Sequence, residues 1–347
     1  MAAPGDRAGG FGEFALIDRL RRKLTGSAAG QPGVIVGIGD DAAVVEAGGG
    51  MCWVVTCDVQ VQGVHFPAAG VSGIPVGQKA LAVNVSDVAA MGGTPRFALV
   101  SIGVRADTPL AFLDEVYEGL NARASRWNMT VLGGNVTRTE GPFFIDVFVL
   151  GEVAREGLLL RRGAKVGDQI LVTGFLGDAA AGLYLLGHPE VRLRDEARTA
   201  LTYAQLRPAA RVEEGKAIAA LRLATAMMDV SDGLAGDLAH LCAASGVGAV
   251  VWEQELPVSP SALELASAIK RRPEEWALYG GEDYQLLLTA PLEAVPALRK
   301  AVREAGGAPL TPIGEIVPSR QQIRLKRGEE LLPLEGGAWD HLQDPKI

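Results

Sequence analysis

Apolar residues recur at helical spacing in some stretches and fill short continuous runs in others. This contrast divides most of the chain into elements. Residues 14–24 predict a short helix with Leu16, Ile17, Leu20 and Leu24 on one side. Residues 42–46 and 51–56 are strand-like, joined by a turn at Gly48-Gly49-Gly50. Residues 78–91 have helical spacing. Leu81, Val85 and Val88 form an apolar stripe, and Asn84 and Asp87 lie beside it, three apart. Residues 97–104 read as a strand and 110–126 as a helix. A run at 130–132 leads into Gly133-Gly134, and 143–153 reads as a strand whose weak alternation predicts burial on both faces.

A second unit starts near Ala154. A short strand at 170–172 breaks at TGFLGD, and a small-residue helix follows at 179–186. Charged residues 188–199 predict a surface excursion. Then come a helix at 209–221, a strand ending at Asp229, and a helix carrying Leu234, Leu238 and Leu241 at i, i+4, i+7. Residues 247–252 and 284–288 add strands. Strand–helix alternation in both halves predicts layered α/β architecture, with domains at 1–153 and 154–347 and a loose tail at 1–10.

A length of 347 residues is enough for two cores, and 44 glycines suit a fold rich in tight turns. The net charge of −8 argues against nucleic acid as the main partner. Cys52, Cys57 and Cys242 lack metal-ligand spacing and predict a reducing compartment without a disulfide framework. The first residues carry no apolar signal core, and no apolar run reaches the roughly 18 residues of a membrane span. A cytoplasmic protein without membrane contact is expected.

Candidate chemistry lies in small clusters that combine Gly with Asp. GIGDDAAVV carries Asp40 and Asp41, TCD ends on Asp58, and NVSD gives Asp87. GGNVTR gives Asn135, DVSDG gives Asp229, Ser231 and Asp232, and GGEDY gives Glu282 and Asp283. Hard oxygen ligands without a His/Cys cluster point to Mg²⁺, which shares its shell with waters and phosphate oxygens. Glycines beside them let backbone N–H groups approach phosphate. Each cluster also has a plainer reading. Asp beside Gly often marks a turn, and Ser231-Asp232 are placed to cap the following helix. His65 has no evident partner in sequence, and Lys79 reads as a solvated helix residue. Asp87 is harder to dismiss, because it falls mid-helix beside an apolar stripe, where a charge needs a partner or a metal. There is no G-x-x-x-x-G-K-[ST], full G-x-G-x-x-G, kinase H-R-D or D-F-G set, or G-x-S-x-G elbow. A nucleotide enzyme built on this chain therefore needs another phosphate cradle.

The segments GIGDDAAVV, TCDVQVQGVHF, KALAVNVSDVAAMGGTP, LRRGAKVGDQILVTGFLGDAAAGL, MMDVSDGLAGDL and GGEDYQLLLT occur in the order found in thiamine-monophosphate kinases. The chain resembles that family from about Gly12 to the Trp339 region. The family lies within the superfamily typified by aminoimidazole ribonucleotide synthetase. The resemblance implies two α/β domains, a homodimer formed through the N-terminal sheet, and nucleotide bound near that interface. It also implies Mg²⁺-dependent phosphoryl transfer from ATP to thiamine monophosphate. Asp40, Asp58, Asp87, Asp229 and Asp232 match metal-binding positions, and Thr56 and Cys57 match positions that also approach the metals. Gly134, Asn135, Arg161 and Ser231 match ATP-contacting positions, whereas His65, Glu282 and Trp339 match substrate-contacting ones. Trp339 is placed to stack on a thiamine ring by cation–π attraction.

The chain departs from the family pattern twice. Asn135 stands where a metal-binding Asp is common, and Cys57 where Ser or Thr is usual. Two alternatives stay open at this level. One is a sister ATP-dependent synthetase, although the reactive Cys of selenophosphate synthetases has no counterpart before Gly37. The other is a sensor that binds thiamine phosphate without turning it over, since a fold alone does not secure function.

Overall fold

The polar and apolar pattern resolves into two sheets, each with its own helices. The computed structural model describes residues 12–24 and 31–334. In chain order the first half comprises α1 (Glu13–Arg21), β1 (Val34–Val36), β2 (Ala43–Gly48), β3 (Met51–Val61), α2 (Gly73–Ala90), β4 (Thr94–Val104), α3 (Leu110–Arg126), β5 (Thr130–Arg138) and β6 (Phe144–Ala154). The second half comprises β7 (Gln169–Thr173), α4 (Asp178–Gly187), α5 (Asp195–Leu206), α6 (Val212–Leu221), β8 (Ala226–Val230), α7 (Leu234–Ser245), β9 (Val247–Trp252), α8 (Pro260–Ile269), α9 (Pro273–Tyr279), β10 (Gln285–Ala290), α10 (Val295–Glu304), β11 (Leu310–Pro318), β12 (Ile323–Arg327) and β13 (Glu330–Pro333). Among the described residues no helix is long and apolar enough to cross a membrane.

The first sheet has the order β1-β2-β3-β6-β4-β5, antiparallel except for the β4–β5 pair. Its inner face packs on α2 and α3 through Val54, Val147, Leu81, Val88 and Leu120, all buried. α2 and α3 approach closely because small residues face each other. A Cβ on Gly77 would stand 1.9 Å from the Val116 carbonyl oxygen, so only glycine fits there.

The outer face of this sheet is open within the chain. The cross-strand row Cys57–Phe148–Leu99 lies on it, and Leu99 and Phe148 are 43% and 36% exposed. β6 therefore alternates buried with partly exposed positions, against the expectation of burial on both faces.

The second sheet has the order β13-β12-β9-β11-β7-β10-β8. β8 is wholly buried. Met228 packs with Leu234, Leu238 and Leu241 of α7, and neighbouring Met227 packs with Ile218 of α6 and Leu298 of α10. Helices α4, α5 and α8 form a further layer around Leu185, Leu201 and Leu265. α5 begins at Asp195, inside the stretch expected to be a surface excursion. Its charged first turn reads as loop in sequence, although Ala197 and Leu201 are buried.

α2 joins the two halves. It touches β3, β6 and α3 on its own side, and α6 and β8 on the other. Lys79, Asn84 and Ser86 on it are therefore buried in protein rather than facing water.

Candidate active site

Four polar side chains of α2 each grip a different part of one cleft. Thr56 Oγ1 on β3 donates to Asp87 Oδ2 at 2.5 Å. Asn84 accepts the Asp58 backbone N–H at 2.7 Å and donates to the Ala80 carbonyl at 2.9 Å, which fixes the end of β3. Ser86 Oγ donates to Asp229 Oδ2 at 2.5 Å across the junction with β8. Lys79 Nζ, about two turns earlier, reaches Glu282 Oε1 at 2.6 Å. The cleft has a volume of about 1180 Å³. Asp41, Thr56, Cys57, Asp58, His65, Asp87, Arg161, Asp229, Ser231, Asp232 and Glu282 line it. Apolar and aromatic walls come from Leu16, Ile17 and Leu20 of α1 and from Trp276 and Tyr279 of α9.

The two carboxylates of GIGDD divide their work. Asp41 is fully buried in the cleft, and Arg161 Nε and Nη2 both donate to its Oδ1 at 3.0 and 2.7 Å. Asp41 Oδ2 is buried without a hydrogen-bond partner. Asp40 turns to the backbone and accepts the N–H groups of Asp41 and Arg161 at 3.1 and 3.2 Å. It orders the Asp41–Arg161 pair and is not among the cleft-lining residues.

The motifs DVSDG and GGEDY form one structure. Glu282 N–H donates to the Ser231 carbonyl at 2.7 Å, and Tyr284 N–H to the Val230 carbonyl at 2.8 Å. Glu282 and Tyr284 take φ of +70° and +49°, a left-handed backbone that non-glycine residues seldom adopt and that clusters at working sites. Ser231 and Asp232 do not cap the following helix. Gly233 is the N-cap of α7, with φ +104° and no side-chain cap bond. The Asp232 N–H is instead held by Asp237 Oδ2 at 3.1 Å, and Ser231 and Asp232 both line the cleft. Asp283 points elsewhere. It accepts the Gly177 and Ala179 N–H groups at 2.6 and 3.1 Å at the start of α4.

Crowding of carboxylates governs the electrostatics. Burial, and then Asp58, Asp229 and Asp41, hold the Asp87 carboxyl well above the usual range. Burial and Asp41 push Asp229 to about 8. Burial and Asp41 push Asp40 to about 6. The Cys57 thiol is raised by partial burial and by Asp146 and Asp58.

This donor set fits Mg²⁺. All the ligand atoms are hard oxygens, the carboxylates repel one another, and Asp41 Oδ2 lacks a partner. Among the described residues no three His, Cys, Asp or Glu side chains stand close enough to hold a metal unaided.

Two expected positions lie away from this cleft. Gly134 and Asn135 are exposed on edge strand β5, where Asn135 pairs with Ser101 and, one strand further, Asp146. That row lies on the outer face, whereas Thr56 and Asp58 pair with Val149 and Val147 on the inner one. Within one chain Asn135 lies three strands across the sheet from Val59, the member of its row that lines the cleft. Trp339 lies outside the described residues. His65 is in the cleft and has a partner, since its Nδ1 accepts the Val61 N–H at 3.0 Å. Its Nε2 then carries the proton in the neutral ring. Lys79 is 2% exposed, against the expectation of a solvated residue.

Several working residues were not singled out by motif: Asn84 and Ser86 as struts, Asp237 behind Asp232, and Gln205, whose Nε2 donates to Glu282 Oε2 at 2.5 Å. The spacing of Lys79 and Ser86, seven apart on a helix without a polar face, was the available signal.

The chain matches the family model described as AIR synthase related protein, N-terminal domain, over residues 39–153. It matches AIR synthase related protein, C-terminal domain, over residues 165–326. It is 39% identical to a thiamine-monophosphate kinase of Aquifex aeolicus over 288 residues, 82% of this chain and 87% of the relative. It is 35% identical to that of Bacillus subtilis over 333 residues, 95% of this chain and 99% of the relative. A solved structure described as AaThiL complexed with AMPPCP and TMP superposes with a TM-score of 0.82 at 34% identity, covering 98% of this chain and 100% of that one. With this identity sustained over nearly the whole length of its relatives, the chain belongs to the thiamine-monophosphate kinase family.

Proposed function

We propose that the protein transfers the γ-phosphoryl group of ATP to thiamine monophosphate, giving thiamine diphosphate and ADP. One observation carries this reading: Asp58 of β3, Asp87 of α2, Asp229 of β8 and Asp232 just after it meet in a single cleft that also has aromatic walls. Such a cleft serves two polyanions and one ring system. The acceptor is a phosphate oxygen, already anionic, so no strong general base is required. Mg²⁺ ions, when bound, would supply charge neutralisation and in-line alignment of the phosphates. Asp41, Asp58, Asp87, Asp229 and Asp232 are the residues that would hold them, with Thr56 beside Asp87. Arg161 fixes Asp41. His65 lines the same cleft. Leu16, Ile17, Trp276 and Tyr279 offer apolar surface to its rings and exclude water from it.

The protein acts as a homodimer through the outer face of the first sheet. The apolar row of Leu99 and Phe148, open within one chain, supports this. Asn135 and Gly134 sit on that same sheet and are not among the cleft-lining residues, which supports a nucleotide site that a second copy helps to complete. The end of β6 at Ala154 supports a domain division at 153/154. Free cysteines among the described residues support a cytoplasmic location.

ADP release in a coupled assay tests the reading. Release should require both Mg²⁺ and thiamine monophosphate. ADP formed equally without thiamine monophosphate, or tight binding of it without any ADP, would favour a bare ATPase or a sensor instead.

A further inference from the structure

Lys79 is an ammonium group in the protein interior, 2% exposed, on a helix without a solvated face. A charge in that setting is held by its partners. Its Nζ donates to Glu282 Oε1 at 2.6 Å and to the His65 carbonyl oxygen at 2.8 Å. The other oxygen of Glu282 is also taken, by Gln205 Nε2 at 2.5 Å. The Glu282 backbone is pinned to Ser231 in a left-handed conformation. One ammonium therefore ties together His65, from the first half of the chain, and Glu282, from the second. Neither contact reaches the aspartates of the acidic cluster.

We propose that Lys79 is a positioning residue for the acceptor substrate: it sets His65 and Glu282 in register across the cleft and has no part in holding the nucleotide. The proposal rests on the kinase reading above and on the family resemblance, which implies that His65 and Glu282 contact thiamine monophosphate. It adds a residue that acts through both of them.

Initial rates of the full-length protein, with ATP and thiamine monophosphate varied in turn, test it. Lys79→Met should raise KM for thiamine monophosphate at least tenfold and leave KM for ATP within twofold. Lys79→Arg keeps the charge and should fall between wild type and Lys79→Met. Lys79→Met leaves Glu282 as a carboxylate without its cation. The double variant Lys79→Met/Glu282→Gln removes both charges, so it should be no worse than Lys79→Met alone, rather than showing multiplied defects. If Lys79→Met fails to fold, the double variant carries the measurement, with the same selective rise in KM expected. A rise in both KM values together, an unchanged KM for thiamine monophosphate, or multiplicative defects would overturn the proposal. Failure of the kinase reading has its own signature, namely a wild-type protein that does not turn over thiamine monophosphate. In that case the register has no acceptor to serve, and the proposal falls as well.

Discussion

Asp229→Asn should move stability and activity in opposite directions. Asp229 is buried, accepts a hydrogen bond from Ser86 Oγ, and has its carboxyl pushed from 3.8 to about 8 by burial and Asp41. Its protonated form therefore stabilises the fold. That contribution is complete below 3.8 and is lost as pH rises towards 8. At pH 7 the metal-free protein must take up this proton on folding. The span of about three pH units from 3.8, at ~1.36 kcal/mol each, gives an upper limit of ~4 kcal/mol. Relaxation and neighbouring charges reduce this to on the order of 1–2 kcal/mol. Asn needs no proton and still presents an oxygen to Ser86. The melting temperature of metal-free Asp229→Asn should thus exceed that of wild type at pH 7–8 by about 2–6 °C. The gap should shrink towards pH 4. Turnover with Mg²⁺ and ATP should fall by roughly a hundredfold or more, because an anionic ligand is lost. Thermal melts from pH 4 to 8 without metal, run beside a coupled ADP assay, measure both. A variant equally destabilised at every pH with near-normal turnover would refute the reasoning and make Asp229 a structural acceptor for Ser86.

Asp87→Asn should cripple turnover while the fold persists, raising the barrier by about 3 kcal/mol or more; near-normal rates at saturating Mg²⁺ would remove Asp87 from the metal site. Asn135→Asp should lower the Mg²⁺ concentration for half-maximal activity, most clearly at low ionic strength, and Asn135→Ala should raise it. If neither moves, Asn135 is only an edge-strand residue. Leu99→Lys combined with Phe148→Lys should give a monomer by light scattering and abolish the Asn135→Asp effect, because both depend on the open sheet face.

Helix α3 matches its expected bounds because its polar and apolar positions separate cleanly. α2 begins at Gly73, before its expected start, because its first turns carry Gly73, Pro75 and Gly77. All three are poor helix formers, and Gly73 and Gly77 allow close contact with α3. Asp87 was legible as a charge out of place in an apolar helix, and the cleft contains it. Asp41 could not be told from Asp40 in sequence, because the course of one turn decides which adjacent carboxylate enters the cleft. Lys79 and Glu282 were unreadable as a pair, since a lysine beside an apolar stripe looks solvated until its distant partner is known. The outward face of Asn135 needed the strand register, which motif spacing does not carry.

The central claim is that the cleft transfers phosphate to phosphate. The direct measurement uses ATP labelled in its γ-phosphate, with thiamine monophosphate as acceptor and thiamine as control. The account predicts label in the terminal phosphate of thiamine diphosphate, dependent on Mg²⁺ and lost in Asp87→Asn. It predicts no labelled product from thiamine. Label confined to inorganic phosphate, or transferred equally to the thiamine hydroxyl, would contradict it.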